Sequence, residues 1–243
     1  MSELTPFVPS PRLFSLENKN VLITGATRGI GRACAIALAQ AGASVCIVSR
    51  SPDPPLPPGD NHTHVVCDLS DSDAVKSLFQ NALDKMGGNI HILVNCAGIQ
   101  RRAPSVDFSE QDWDDVINTN LKSVWILCQA AGRHMVPLRR GHIINFASLL
   151  TFQGGLTVPA YASAKGAVGQ LTKALSNEWS AHNVQVNAIA PGYIETDMNS
   201  RLLADPVRFR QISERIPAGR WGKPEDFAGP IVFLASEANK EEE

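Results

Sequence analysis

The sequence predicts an α/β protein built on a single doubly wound parallel sheet with helices on both faces. Three observations carry that expectation. Short runs rich in valine and isoleucine recur along the chain and are apolar on both faces, as strands buried inside a parallel sheet must be. Longer stretches with apolar residues at helical spacing separate them. The 243 residues contain no composition break and no internal repeat, so one large domain is expected, and a hydrophobic content of 44% can fill its core.

Six strands are expected, at 21–24 ("VLIT"), 44–49 ("SVCIVS"), 64–67 ("HVVC"), 91–95 ("HILVN"), 142–147 ("HIINFA") and 184–190 ("VQVNAIA"). The first connecting helix is the alanine-rich "GRACAIALAQAG", which stops at Gly42. The next carries Val75, Leu78, Phe79 and Leu83 at helical spacing. A third runs over 109–135, opened by Ser109 with Asp112 three residues on, a variant of the capping box. A fourth begins at Tyr161 and follows the fifth strand. Between the second and third strands lies "SPDPPLPPGDNH". Its prolines exclude a regular helix or a central strand and indicate a surface loop.

Composition excludes several functions. A formal net charge of -2 gives no broad basic field for nucleic acid. No apolar run reaches the length of a membrane helix, and the N-terminus lacks a basic segment followed by an apolar one. Cys34, Cys46, Cys67, Cys96 and Cys128 lie in apolar contexts without C-x-x-C pairing. They read as core thiols of a reducing compartment, not as disulfides or metal ligands. A cytoplasmic protein with a small-molecule substrate, without nucleic acid, membrane or metal as a partner, is expected.

The chemistry concentrates at strand ends. The first strand runs into "TGATRGIG" and then directly into a helix. Gly25, Gly29 and Gly31 let the backbone turn tightly and approach a ligand, with Arg28 and Ile30 between them. The helix N-terminus then presents N–H groups to a phosphate. An acidic residue ending the second strand would grip the ribose of NAD, but Ser49 and Arg50 stand there. A guanidinium at that place, with Arg28 as a second, suits the 2′-phosphate of NADP, so NADP is expected in preference to NAD. Tyr161 and Lys165 are four residues apart and share a helix face. A nearby ammonium favours a phenolate, which makes the phenol usable as an acid or base near neutrality. Ser148 ends the fifth strand, where its hydroxyl can hold a substrate oxygen.

These features together resemble the short-chain dehydrogenase/reductase family: the G-x-x-x-G-x-G loop, "NCAG" (Asn95 to Gly98), the order Ser148, Tyr161, Lys165, and "PGYIETDM" from Pro191. Cys96 departs from the asparagine usual in "NCAG". The resemblance implies a Rossmann-type domain over 16–238, between an N-terminal extension at 1–15 and an acidic tail at 239–243. It implies that Asn120 joins the catalytic group by holding a relay water for Lys165, with Asn118 as the competing choice. It also implies that Asp68, Asn95, Gly98, Lys122, Pro191, Ile194 and Thr196 lie against the cofactor; for Asp68 the alternative is a helix N-terminal cap. The phrases around the catalytic residues resemble the branch that holds the deoxygluconate dehydrogenases, which interconvert a hydroxyl and a ketone on sugar acids. Arg101 and Arg102 follow "NCAG" and either bind a substrate carboxylate or form ion pairs. The family continues into a seventh strand where this chain ends in "NKEEE", so six strands and a weakened homo-oligomer are expected. A reductase of hydrophobic or acyl ketones, a nucleotide-sugar epimerase and a non-catalytic dinucleotide-binding regulator are the alternatives.

Overall fold

The computed structural model describes residues 10–239. Nine of the N-terminal residues and the end of the acidic tail, 240–243, lie outside the described residues. Six strands form one parallel sheet: β1 (Asn20–Thr24), β2 (Ser44–Ser49), β3 (Thr63–Val66), β4 (Ile92–Asn95), β5 (Gly141–Phe146) and β6 (Val184–Ile189). Their spatial order is β3-β2-β1-β4-β5-β6. The chain therefore winds outward from β1 to β3, then crosses back and winds the other way from β4. That reversal opens a crevice between β1 and β4 at the carboxyl edge of the sheet, where doubly wound proteins bind ligands.

The helices are α1 (Ser10–Leu13), α2 (Gly29–Gln40), α3 (Ser72–Lys85), α4 (Glu110–Ile117), α5 (Ser123–Leu138), α6 (Pro159–Trp179), α7 (Ser200–Ala204), α8 (Pro206–Ser213) and α9 (Ala228–Ala235). Two apolar layers sandwich the sheet. On one face Leu22, Cys46, Leu93 and Ile143 pack against Val75 and Leu78 of α3, Leu127 and Met135 of α5, and Val168 of α6. On the other face Val21, Ile23, Ile47, Val94 and Ile144 pack against Cys34 and Leu38 of α2 and Ile231 of α9. Alternate residues of one strand thus feed opposite layers, which explains runs that are apolar on both faces. Leu16 is fully buried in the second layer.

The helix expected over 109–135 differs from the one observed. Ser109 does cap it, its hydroxyl accepting from the Asp112 N–H at 3.1 Å. The helix is then interrupted by a π-turn at Asn118–Lys122 before continuing as α5. One extra residue in a turn re-aims the side chains that follow, and such turns recur at functional sites. The cap of α3 is Asp71, whose carboxylate accepts from Asp73 and Ala74, so Asp68 is not the cap. The helices α7 and α8 carry no strong apolar period and were not expected from the sequence.

Candidate active site

The crevice is a cleft of about 1730 Å³ along the carboxyl edge of the sheet. It is lined by Gly25, Arg28, Gly29, Ile30 and Gly31 from the first loop; Ser49, Arg50 and Asp68 from the next two strand ends; and Gly98, Ser148, Tyr161, Lys165, Pro191, Ile194 and Thr196 beyond them. The glycines are required by geometry. Gly25 has φ +71°, and a Cβ there would stand 2.7 Å from Ala97 Cα. Thr24 fixes the same seam: its hydroxyl accepts from the Cys96 and Ala97 N–H groups, each at 3.1 Å. Gly29 has φ +54°, and a Cβ there would stand 3.5 Å from the Thr196 methyl. A cradle that any Cβ would fill, at the N-terminus of a 12-residue helix, fits a dinucleotide phosphate.

The end of the cleft at β2 and β3 carries Arg28 and Arg50 beside Asp53 and Asp68. Ser49 is buried, and its hydroxyl accepts from Ser51 N–H at 2.9 Å. Arg50 projects from the next position, exposed and without an ion pair among the described residues. Asp68 accepts from the backbone and hydroxyl of Ser70 at 2.9 and 2.8 Å; those bonds, helped by Arg50, hold its pKa down. Arg28 is exposed and lies 3.6 Å from Asp197, a loose surface pair that an anionic ligand can exchange.

The catalytic end is built on α6. Pro159 begins the helix, and Tyr161 and Lys165 follow one turn apart. Lys165 is 4% exposed. Its ammonium donates to the Phe146 carbonyl and lies 5.8 Å from the Tyr161 ring centroid. Burial lowers its pKa to about 8. Tyr161 bonds Ser148, which pulls its pKa down, but burial outweighs that and raises it above the ordinary phenol value. Thr151, missed by the sequence reading, straps the two halves together. Its hydroxyl accepts from Ser148 N–H at 3.2 Å and donates to the Lys165 carbonyl at 2.9 Å.

Asn120 is fully buried within the π-turn. Its amide bonds both the N–H and the carbonyl of Ile99, each at 2.8 Å. A Cβ on Gly98 would lie 3.5 Å from Asn120 Oδ1 and 3.9 Å from Lys165 Nζ, so both groups face this glycine. Asn118 makes no comparable contact with this loop.

Two expected cofactor residues do not line the cleft. Asn95 points into the opposite layer, where it donates to Asn145 Oδ1 at 2.9 Å, and Asn145 donates to Thr172. Its alternation along β4 puts it on the face of Leu93, under α5 and α6. Its own Oδ1 has no hydrogen-bond partner among the described residues. Lys122 stands two residues beyond the inward Asn120, which turns it to the outer side of the helix. There it is exposed and within electrostatic reach of Asp73.

The two arginines after "NCAG" also separate. Arg101 pairs with Asp112 at 3.1 Å and Asp115 at 3.4 Å. Arg102 donates to Gln100 Oε1 at 2.8 Å and has no ion pair among the described residues. It lines the cleft within electrostatic reach of Tyr161, and burial lowers its pKa.

The sequence model of the short chain dehydrogenase family matches residues 19–206. The chain is 49% identical to the 2-dehydro-3-deoxy-D-gluconate 5-dehydrogenase of Pseudoalteromonas atlantica, over 93% of this chain and 91% of that protein. It is 41% identical to the gluconate 5-dehydrogenase of Gluconobacter oxydans, over 94% and 92%. Among solved structures it resembles a gluconate 5-dehydrogenase from Burkholderia cenocepacia in complex with NADP and tartrate. The TM-score is 0.87 and the identity 37%, over 95% of this chain and 92% of that one. With its phosphate cradle, its Ser148–Tyr161–Lys165 cluster and these matches, the chain belongs to the short-chain dehydrogenase family and is an NAD(P)-dependent oxidoreductase.

Proposed function

We propose that this chain interconverts a ketone and a secondary alcohol on a sugar acid, using NADP(H). The observation that carries the substrate class is Arg102: a half-buried guanidinium in the cleft, within reach of Tyr161 and without a carboxylate partner among the described residues. A buried cation without a counter-ion favours an anionic ligand. The names of the relatives, which act on gluconate or its deoxy derivatives, support the same class. Arg50 supports NADP, as does the NADP bound in the Burkholderia structure.

The bound cofactor supplies or takes the hydride. The glycine loop and the α2 N-terminus hold its phosphates, Arg50 and Arg28 its 2′-phosphate, and Ile194 and Thr196 its far end. In reduction, Ser148 holds the substrate oxygen by a hydrogen bond and Tyr161 gives it a proton. A phenol at or above its ordinary pKa is protonated near neutrality, the form reduction requires. Lys165 then faces the phenolate and stabilises it. Lys165 and Asn120, which both face Gly98, are the groups through which the proton is replaced. Oxidation runs the same transfers in reverse. Five free cysteines support placement in the reducing cytoplasm.

The test is NADPH oxidation by the purified protein against keto-sugar acids and hydrophobic ketones. Keto-sugar acids should turn over best. Preference for hydrophobic ketones would reassign the substrate, and turnover of none would leave a dinucleotide-binding regulator.

A further inference from the structure

We propose that Arg208, on α8, is the second cation of a carboxylate clamp with Arg102 and determines specificity for acidic over neutral substrates. This deepens the sugar-acid proposal and rests on it.

The clamp is recognisable by how arginines are partnered. Arg28, Arg101 and Arg220 pair with aspartates. Arg50, Arg102, Arg201, Arg208 and Arg215 line the cleft without an ion pair among the described residues; Arg102 and Arg208, from the loop after β4 and the helix after β6, stand apart from the other three by a second feature. Each is instead held by a neutral amide: Arg102 by Gln100 Oε1 and Arg208 by Gln211 Oε1, both at 2.8 Å. A neutral acceptor orients a guanidinium without cancelling its charge, and each guanidinium keeps further N–H donors. Burial lowers the pKa of Arg102, and repulsion from Arg208, with a smaller share from Arg201, lowers it further. A carboxylate placed between Arg102 and Arg208 converts that repulsion into attraction.

Local structure aims Arg208. Asp205 caps α8, accepting from Val207 and Arg208 N–H at 2.9 and 3.1 Å. Phe209 stacks on Trp221 with centroids 5.7 Å apart and planes 9° apart. Trp221 Nε1 also donates to the Ser213 hydroxyl at 3.0 Å. Phe209 and Ser213 are one turn apart, so this face is committed to Trp221. Arg208 and the buried Ile212, likewise one turn apart, take the neighbouring face, and both line the cleft.

The experiment compares kcat/KM for one keto-sugar acid with that for its carboxamide, which has the same ketone and no charge. Wild type should prefer the acid. R208Q should lower the acid-to-amide ratio about tenfold, the scale of one charge-assisted hydrogen bond in a partly solvated site, and R208K should retain part of the preference. NADPH binding by fluorescence should match wild type in both variants, which shows that the fold is intact. An unchanged ratio in R208Q removes Arg208 from the clamp while leaving the sugar-acid reading in place. A wild-type enzyme with no preference for the acid removes both.

Discussion

Replacing Gly25 by alanine tests whether the phosphate cradle depends on close backbone approach. Gly25 sits at φ +71°, and an added Cβ would lie 2.7 Å from Ala97 Cα and 2.8 Å from Ala97 N. The left-handed backbone costs an alanine about 1 kcal/mol. Overpacking against backbone that cannot rotate away costs roughly 1–3 kcal/mol more. The sum, about 3 kcal/mol, corresponds to a fall in Tm of roughly 6–12 °C for a chain of this size. The clash separates two segments that the Thr24 hydroxyl joins, so relaxing it breaks the bonds to Cys96 and Ala97 N–H. The loop then no longer holds a phosphate, and NADPH affinity should fall by about tenfold or more. Thermal unfolding and fluorescence titration with NADPH measure both effects. Wild-type Tm together with wild-type affinity would refute the reasoning.

Three other outcomes are expected. Arg50→Asp should move the ratio of kcat/KM for NADPH over NADH toward NADH by roughly tenfold or more, since a charge-assisted bond is lost and a repulsion added; an unchanged ratio would remove Arg50 from the 2′-phosphate site. Asn120→Ala should lower kcat and stability together, because it strips partners from the Ile99 N–H and carbonyl at roughly 1–3 kcal/mol each; full activity would dismiss the loop-fixing role. The third outcome concerns acid stability. His91 Nδ1 accepts from Asn20 N–H at 2.9 Å, and burial lowers its pKa from 6.5 to about 4. The unfolded chain therefore binds the proton more tightly. The stabilisation is fully present above pH 6.5 and is lost as pH falls from there through about 4. Its upper bound is about 3 kcal/mol, and roughly half survives solvent screening of a half-exposed ring. Urea midpoints measured across that range should fall in wild type and stay flatter in His91→Gln.

The strands were legible because a parallel sheet covered on both faces leaves one signature, an apolar run with no polar side. All six fall within a residue or so of their expected ends. The cleft was legible where the chain announces a strand end, as at Gly25, Arg50, Ser148 and Pro191. The misplaced residues fail for geometric reasons. Lys122 is the last residue of a π-turn, and a phase change of one residue leaves no trace in composition. Asn95 is polar at a strand end, yet its alternation sends it into a buried ladder with Asn145 and Thr172. Arg101 and Arg102 are adjacent and chemically alike. Only the positions of Asp112 and Asp115 one helix away decide that the first is neutralised and the second is not. Arg208 lay out of sight because α7 and α8 are short and weakly patterned, and α8 is anchored by Trp221, which lies beyond the helix's own period.

The central claim is that Tyr161 carries the proton in an NADP(H)-dependent carbonyl reduction. Tyr161→Phe removes one hydroxyl and keeps the ring that lies beside Lys165. Single-turnover NADPH oxidation with a keto-sugar acid, measured beside NADPH binding, tests the claim most directly. The account predicts binding close to wild type and no detectable oxidation. Oxidation at a rate near wild type would contradict it.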